Sequence, residues 1–171
     1  MRRHRALFLA AGVALFSSCR PSAPPPPSAK HPLLGRAMPP IERAALDGGA
    51  VSTDAVRGRV VVLEFFAKFC EPCRRTLPEL RALSRERPEI AIVGIAEDER
   101  QADAEEMVTQ YGLTFPVVLD RGHVISGRYR VNELPATFVA DASGTLRWFG
   151  GPEQAHGAAP AAAKALLDEA R

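Results

Sequence analysis

The chain has 171 residues, 46% hydrophobic and 25% charged, which fits one ordinary globular domain with a core large enough for a single buried sheet. Its formal net charge of +2 falls to near neutrality without Arg2, Arg3 and Arg5, leaving no basic footprint for a nucleic acid.

Arg2, Arg3 and Arg5 precede an apolar run from Ala6 to Phe16 and then Ser17-Ser18-Cys19. That is a basic region, an apolar region and a small-residue cleavage zone in the order of an export signal. Eleven helical residues reach only ~16 Å, about half of a bilayer's hydrocarbon core, so residues 1–18 read as a signal peptide rather than a spanning helix. Ser17-Ser18-Cys19 resembles the lipobox of bacterial lipoproteins, with Phe16 where that motif commonly has an aliphatic residue. The resemblance implies that Cys19 is lipidated and becomes the mature N-terminus, anchoring the chain to a membrane. Setting Cys19 aside leaves one thiol pair, Cys70 and Cys73, and no orphan thiol in an oxidising compartment. Residues 20–40 hold eight of the fifteen prolines, including Pro24-Pro25-Pro26-Pro27. Such a stretch favours polyproline II geometry at ~3.1 Å per residue, so residues 19–40 read as a semi-rigid linker reaching at most ~60 Å. The domain proper is placed at 41–171.

Within it, Asp47-Gly48-Gly49 predicts a turn, and Ser52-Thr53-Asp54 a cap on a short helical turn. Arg59–Phe66 is rich in β-branched and aromatic residues and predicts a buried strand. From Pro72 to Arg87, Leu77, Leu80 and Leu83 recur at helical spacing; Pro72 suits a first turn and Pro78 should kink the helix. Glu89–Ala96 predicts a second buried strand, and Gln101–Tyr111 a helix ended by Gly112. Val117–Leu119 reads as a short strand and His123–Arg130 as a helical turn. Thr137–Ala140 and Thr145–Phe149 flank a turn and predict a hairpin; His156–Ala170 is an Ala-rich helix. The order predicts an α/β fold with a mixed sheet and helices on both faces.

Cys70-Glu71-Pro72-Cys73 falls where a buried strand hands over to a helix. A thiol at a helix N-terminus faces unsatisfied N–H groups and the positive end of the helix dipole, which favour the reactive thiolate. A second thiol in the first turn can close a disulfide with it. The alternatives fit less well. A zinc site needs two more ligands at matching spacing, and the domain holds only His123 and His156 and no second Cys pair. A c-type haem attachment needs His after the second Cys, where Arg74 stands. A structural disulfide is possible, but this is a poor place to staple loops. No metal or other cofactor is expected.

The segment from Glu64 to Cys73 resembles the active-site segment of the thioredoxin superfamily. Arg74-Arg75-Thr76-Leu77-Pro78-Glu79-Leu80 is similar to its membrane-anchored envelope branch, the TlpA/ResA-type thiol–disulfide oxidoreductases. The likeness continues through Tyr111–Asp120, Tyr129-Arg130-Val131 and Leu134-Pro135-Ala136-Thr137-Phe138. It implies a thioredoxin-like fold with a βα insertion around Glu97–Val118. It also implies that Cys70 is the nucleophile, Cys73 the resolving thiol, Glu64 the buried acid and Pro135 a cis-proline packed against the disulfide. Phe69, Glu71, Pro72, Leu134 and Pro135 are then the substrate-facing residues. Phe69 departs from the usual Trp and loses an indole N–H. Lys68 is expected to favour Cys70 thiolate and Glu71 to oppose it. A carboxylate among Val60, Val61, Val62, Leu63, Phe65 and Phe66 should lie in apolar surroundings near Cys73, with its pKa raised.

The resemblance further implies an enzyme of the bacterial envelope, facing the periplasm or another extracytoplasmic space. It would exchange disulfides with envelope proteins, as a reductant in cytochrome c maturation or envelope redox homeostasis, and be re-reduced by a membrane thiol donor. A thiol peroxidase of the same fold is the first alternative, although the PxxxTxxC pattern is absent. A non-enzymatic copper carrier is the second, although CxxxC spacing and a distal His are absent.

Overall fold

The computed structural model describes residues 24–170, so the signal segment and Cys19 lie outside the described residues. A short hairpin opens the domain: β1 (Glu42–Ala44) pairs antiparallel with β2 (Ala50–Ser52). Its turn is held by Asp47, whose carboxylate accepts the Gly49 N–H at 2.9 Å, and by Gly48 at φ 86°. The main sheet follows, with strands in the order β5-β4-β3-β6-β7. β3 (Val61–Phe66) lies at its centre, parallel to β4 (Ala91–Ala96) and antiparallel to β6 (Ala136–Ala140). β5 (Val117–Leu119) extends the parallel side, and β7 (Leu146–Gly150) returns antiparallel on β6. All residues of β3 and β4 are buried, which is why both read as unbroken apolar runs rather than alternating ones.

Helix α1 (Cys73–Glu86) crosses from β3 to β4, the right length of connection for two parallel strands. It turns Cys73, Thr76, Leu77, Leu80 and Leu83 inward and runs on through Pro78, so the expected kink does not interrupt it. Helix α2 (Gln101–Tyr111) ends on Gly112 in the left-handed conformation, φ 57°, and with β5 fills the segment expected as an insertion. Helix α3 (Val124–Tyr129) is short, and α4 (Ala158–Glu169) closes the chain.

Helices stand on both faces, as the fold class requires, but unequally. One face, carrying Val62 and Phe66 of β3, packs under α1, α2 and α4. The other, carrying Val61, Leu63 and Phe65, is covered by α3, the β1–β2 hairpin and Leu33. That hairpin has no signature beyond its turn, since its strands are three residues each.

The expected linker departs most from its sequence reading. From Pro26 onward it lies along the free edge of β7. Ala29 N–H donates to the Phe149 carbonyl at 2.9 Å, Gly35 N–H to Leu146 at 2.8 Å and Met38 N–H to Gly144 at 2.9 Å. Leu33 is buried, and the indole N–H of Trp148 donates to the Pro26 carbonyl at 3.1 Å. Proline suits this place because an edge partner need donate only intermittently, and the strap covers backbone groups that would otherwise template pairing with another chain. Residues 26–40 are therefore packed on the folded domain, where the sequence reads as a semi-rigid linker.

Candidate active site

Cys70 and Cys73 sit just past the carboxyl end of β3, at the first turn of α1, and are joined by a disulfide with Cα atoms 5.4 Å apart. Pro72 occupies the N-cap position, where its missing N–H costs nothing. The Cys73 N–H donates to Cys70 Sγ at 3.2 Å. A sulfur so placed receives an amide donor at the positive end of a helix, the arrangement that stabilises thiolate once the bond is reduced. Cys70 keeps 4% exposure and Cys73 none. Cys70 opens into a groove of about 500 Å³ walled by Phe69, Pro72, Glu97, Val131 and Leu134. Phe69 projects outward with 79% of its surface exposed. The Leu134–Pro135 peptide is cis, Leu134 is half-buried and Pro135 is buried.

Glu64 is fully buried on the helix-covered face of β3, between Val62 and Phe66. Its surroundings are less apolar than the sequence suggests. Thr76 Oγ1, from α1, donates to Glu64 Oε1, and Thr137 Oγ1, from β6, donates to Oε2 at 2.6 Å. Thr76 Oγ1 also lies 3.3 Å from the Cys73 carbonyl, which links the acid to the first turn of the disulfide helix. Burial pushes the Glu64 pKa up from 4.5 to about 7, against the two hydroxyl donors that favour the charged form and with help from the nearby Glu79 carboxylate. Glu79 itself is tied to the start of α4, with the Gly157 N–H at 3.0 Å from Oε2 and His156 Nε2 at 3.2 Å from Oε1.

The expected influence of Lys68 on Cys70 is corrected by its partners. Its ammonium is held between Asp103 Oδ1 at 3.1 Å and Glu106 Oε2 at 2.6 Å, both on α2. Two carboxylates already neutralise that charge, so little of it is left for the sulfur. Glu71 likewise pairs with Arg74 at 3.0 Å. Sequence reasoning missed the acids at the carboxyl end of β4. Glu97 lines the Cys70 groove and faces His123 Nδ1 at 3.3 Å; Asp98 accepts the Lys68 N–H at 2.9 Å. Burial raises the pKa of both, and among the described residues each keeps one carboxylate oxygen without a hydrogen-bond partner. Their signal was position: two acids directly after a buried parallel strand stand where α/β sheets place their sites.

A five-stranded mixed sheet of this order, with a Cys-x-x-Cys disulfide on the helix after its central strand, defines a thioredoxin-like thiol–disulfide oxidoreductase domain. The chain belongs to the AhpC/TSA family, whose sequence profile matches residues 34–149. It is 32% identical over 115 residues to the thiol-disulfide oxidoreductase ResA of Bacillus thuringiensis (strain Al Hakam), a match spanning 66% of this chain and 66% of that protein. ResA of Geobacillus thermodenitrificans is 29% identical over 116 residues, 67% of each chain. Among solved structures, a secreted Mycobacterium tuberculosis disulfide oxidoreductase homologous to E. coli DsbE superimposes with a TM-score of 0.66 at 25% identity. That likeness covers 75% of this chain and 95% of the other. A thiol:disulfide interchange protein of the thioredoxin family from Chlorobium tepidum shares the fold, with a TM-score of 0.65 at 22% identity over 81% of this chain and 99% of its own.

Proposed function

We propose that this chain is an envelope thiol–disulfide oxidoreductase that reduces disulfides in exported proteins, apocytochrome c thiols being one precedent in the ResA-type branch. The observation that carries it is the Cys70–Cys73 disulfide at a helix N-terminus, open to a groove at Cys70 and closed at Cys73, with an acid buried behind it. In the reduced protein the Cys70 thiolate attacks a substrate disulfide. A Cys70–substrate bond forms, the substrate S–S bond breaks, and one substrate sulfur leaves as thiolate. Cys73 then gives its proton to Glu64 and attacks Cys70 Sγ. The Cys70–Cys73 bond closes and the second substrate sulfur leaves, so two electrons pass to the substrate. A membrane thiol donor returns the pair to dithiol. Phe69, Glu71, Pro72 and Leu134 form the surface on which a substrate strand lies, with the buried Pro135 behind Leu134. Cys19 carries the lipid anchor.

The experiment is substrate trapping in cells. Cys73→Ala should accumulate mixed disulfides and Cys70→Ala should not, and the purified protein should reduce insulin. Equal trapping by both variants would refute the division of labour. Turnover of peroxide in preference to insulin, or tight copper binding by a protein inert towards insulin, would replace the function. Mass spectrometry of membrane-extracted protein should find diacylglycerol on Cys19; an unmodified N-terminus elsewhere would remove the anchor.

A further inference from the structure

The row of residues that crosses the sheet at Glu64 is unusual in its side chains. In register across β4, β3, β6 and β7 stand Gly94, Glu64, Thr137 and Gly150. Glu64 and Thr137 are directly paired on antiparallel strands, so their side chains meet on the same face. Gly150, beside Thr137, leaves a space. A Cβ there would collide with the Trp148 ring and come within 2.6 Å of Gln154 Oε1. Gln154, four residues on in the loop between β7 and α4, folds its amide into that space and donates from Nε2 to Thr137 Oγ1 at 2.9 Å.

A threonine hydroxyl has one proton and two lone pairs. With Gln154 donating into a lone pair, the Thr137 proton is turned towards Glu64 Oε2, 2.6 Å away. The chain of donors therefore runs one way, from Gln154 through Thr137 to Glu64. Its inner members are fully buried, but Gln154 is half-buried and lines a cleft with Trp148, Asn132 and Glu133, the last two of which also line the Cys70 groove.

We infer that Thr137 and Gln154 are positioning residues that set the proton affinity of Glu64, so that the loop Gly151–Gly157 controls the buried acid from a surface cleft that adjoins the disulfide groove. The inference deepens the proposed function and rests on it only for its catalytic consequence. The groups facing Glu64 are Thr76 and Glu79 from α1 and Thr137 from β6. Gln154 stands behind Thr137, and His156 behind Glu79. Of these, the Gln154 arm ends in an uncharged side chain whose polarity a single substitution can reverse.

The test uses the full chain with its disulfide closed, where neither Cys70 nor Cys73 titrates. The protonation midpoint of Glu64 is read from the infrared band of its protonated carboxyl group, assigned by its loss in Glu64→Gln. Thr137→Val removes the donor and should raise the midpoint by about one pH unit, since a hydrogen bond to the charged form is lost. Thr137→Ser keeps a hydroxyl and should restore the wild-type midpoint. Gln154→Glu is decisive. It has the same shape but only accepts, so it turns the Thr137 proton away from Glu64 and adds a negative charge; the midpoint should rise further than in Gln154→Ala. The relay predicts that the Gln154→Glu shift shrinks in a Thr137→Val background, where no Thr137 proton remains to be turned; an equal shift in both backgrounds would be the added charge acting alone and would overturn the relay. An unchanged midpoint in both Thr137→Val and Gln154→Glu, or an equal shift in Thr137→Ser, overturns the inference. In a second arm, the pH profile of mixed-disulfide resolution is measured in the same variants. A profile that moves with the midpoint supports the inference and the proton role of Glu64 together. A midpoint that moves while the profile stays supports the positioning role and overturns the proton role.

Discussion

The two faces of the central sheet are built from alternate residues of the same strands, yet they bury different chemistry. The face under α1, α2 and α4 holds Cys73 and a carboxylic acid satisfied by two threonines. The opposite face holds a ring cluster. Phe138 stacks edge-on with Phe65, Tyr129 and the His31 imidazole at centroid distances of 5.9, 5.4 and 4.8 Å. Both faces hold titratable groups that burial drives towards their neutral forms, and the acid of one and the half-buried histidine of the other shift in opposite senses. Burial raises Glu64, an acid, and lowers His31, a base that its ring contacts hold on the strap. One strand can therefore support a reactive interior on one side and a purely cohesive one on the other, because the pleat keeps them apart.

The sharpest way to break that division is Phe138→Ala. Phe138 is fully buried at the centre of the ring cluster, and truncation should cost about 3–5 kcal/mol by lost transfer and cavity formation. Denaturant unfolding measures this. If the faces are separate, Cys70 in the remaining folded protein should alkylate at the wild-type rate. A large drop in that rate would show the aromatic face shaping the site.

Glu64→Gln should produce the opposite pattern, with slower resolution and no loss of stability. The folded pKa, about 7, lies above the ordinary 4.5, so the native state holds a proton that the unfolded state has already released. Wild-type stability must then fall as pH rises from about 4.5 to about 7, by a magnitude on the order of 3 kcal/mol. Gln carries no such proton, so the variant should lack that slope and overtake the wild type at pH 8. Parallel stability curves from pH 5 to pH 8 would remove the raised pKa. Slowed resolution with unchanged initial attack by Cys70, followed by stopped flow, would place the effect on Cys73.

How much of this was legible in the sequence differs by face for a physical reason. A charge inside Val60–Phe66 announces a buried acid, because such a run has no exposed side to hold it. Strand β3, helix α1 and the Cys-x-x-Cys junction were readable for the same reason: their signals are local and periodic. The partners of Glu64 were not. Thr76 and Thr137 are 12 and 73 residues away in the chain, and threonine is ordinary in both settings, so only the sheet register brings them to one point. The strap misled through composition. Its prolines suggest a semi-rigid linker, while the residues that fasten it, His31 and Leu33, are outnumbered. Lys68 misled through adjacency, since its partners on α2 lie 35 and 38 residues on.

A smaller effect is expected at His31. Its ring lies 4.8 Å from Phe138 and 4.5 Å from Phe149 by centroid, is hydrogen-bonded to the Arg130 backbone, and accepts the Leu33 N–H at 3.3 Å. His31→Ala should cost about 1–2 kcal/mol. Because burial lowers the folded pKa below 6.5, the unfolded state binds the proton first and wild-type stability falls as pH drops through that region. The variant should lose this acid-side slope. Trp148, the single tryptophan, contacts the strap at Pro26 and should report its release by fluorescence. A wild-type acid slope retained in His31→Ala would assign it elsewhere.

The smallest effect tests whether the reactive face is as insulated from surface charge as its ion pairs imply. Lys68 is two residues from Cys70, and on adjacency alone its removal should slow a thiolate reaction severalfold. The structure instead has its ammonium clasped by Asp103 and Glu106, with Arg100 also donating to Asp103 at 2.7 Å. Replacing Lys68 alone would leave those acids in excess and confuse the reading. The balanced variant Lys68→Met/Glu106→Gln removes one charge of each sign from a partly exposed cluster, where water and salt screen what remains. It should change the alkylation rate of reduced Cys70 at pH 7 by less than about twofold. Lys68→Met alone should slow it slightly more, because the cluster, with Arg100 still paired to Asp103, then carries one net negative charge. A tenfold loss in the balanced variant would show that Lys68 reaches Cys70 in the reduced protein, and that the reactive face is tuned from outside as well as from its buried acid.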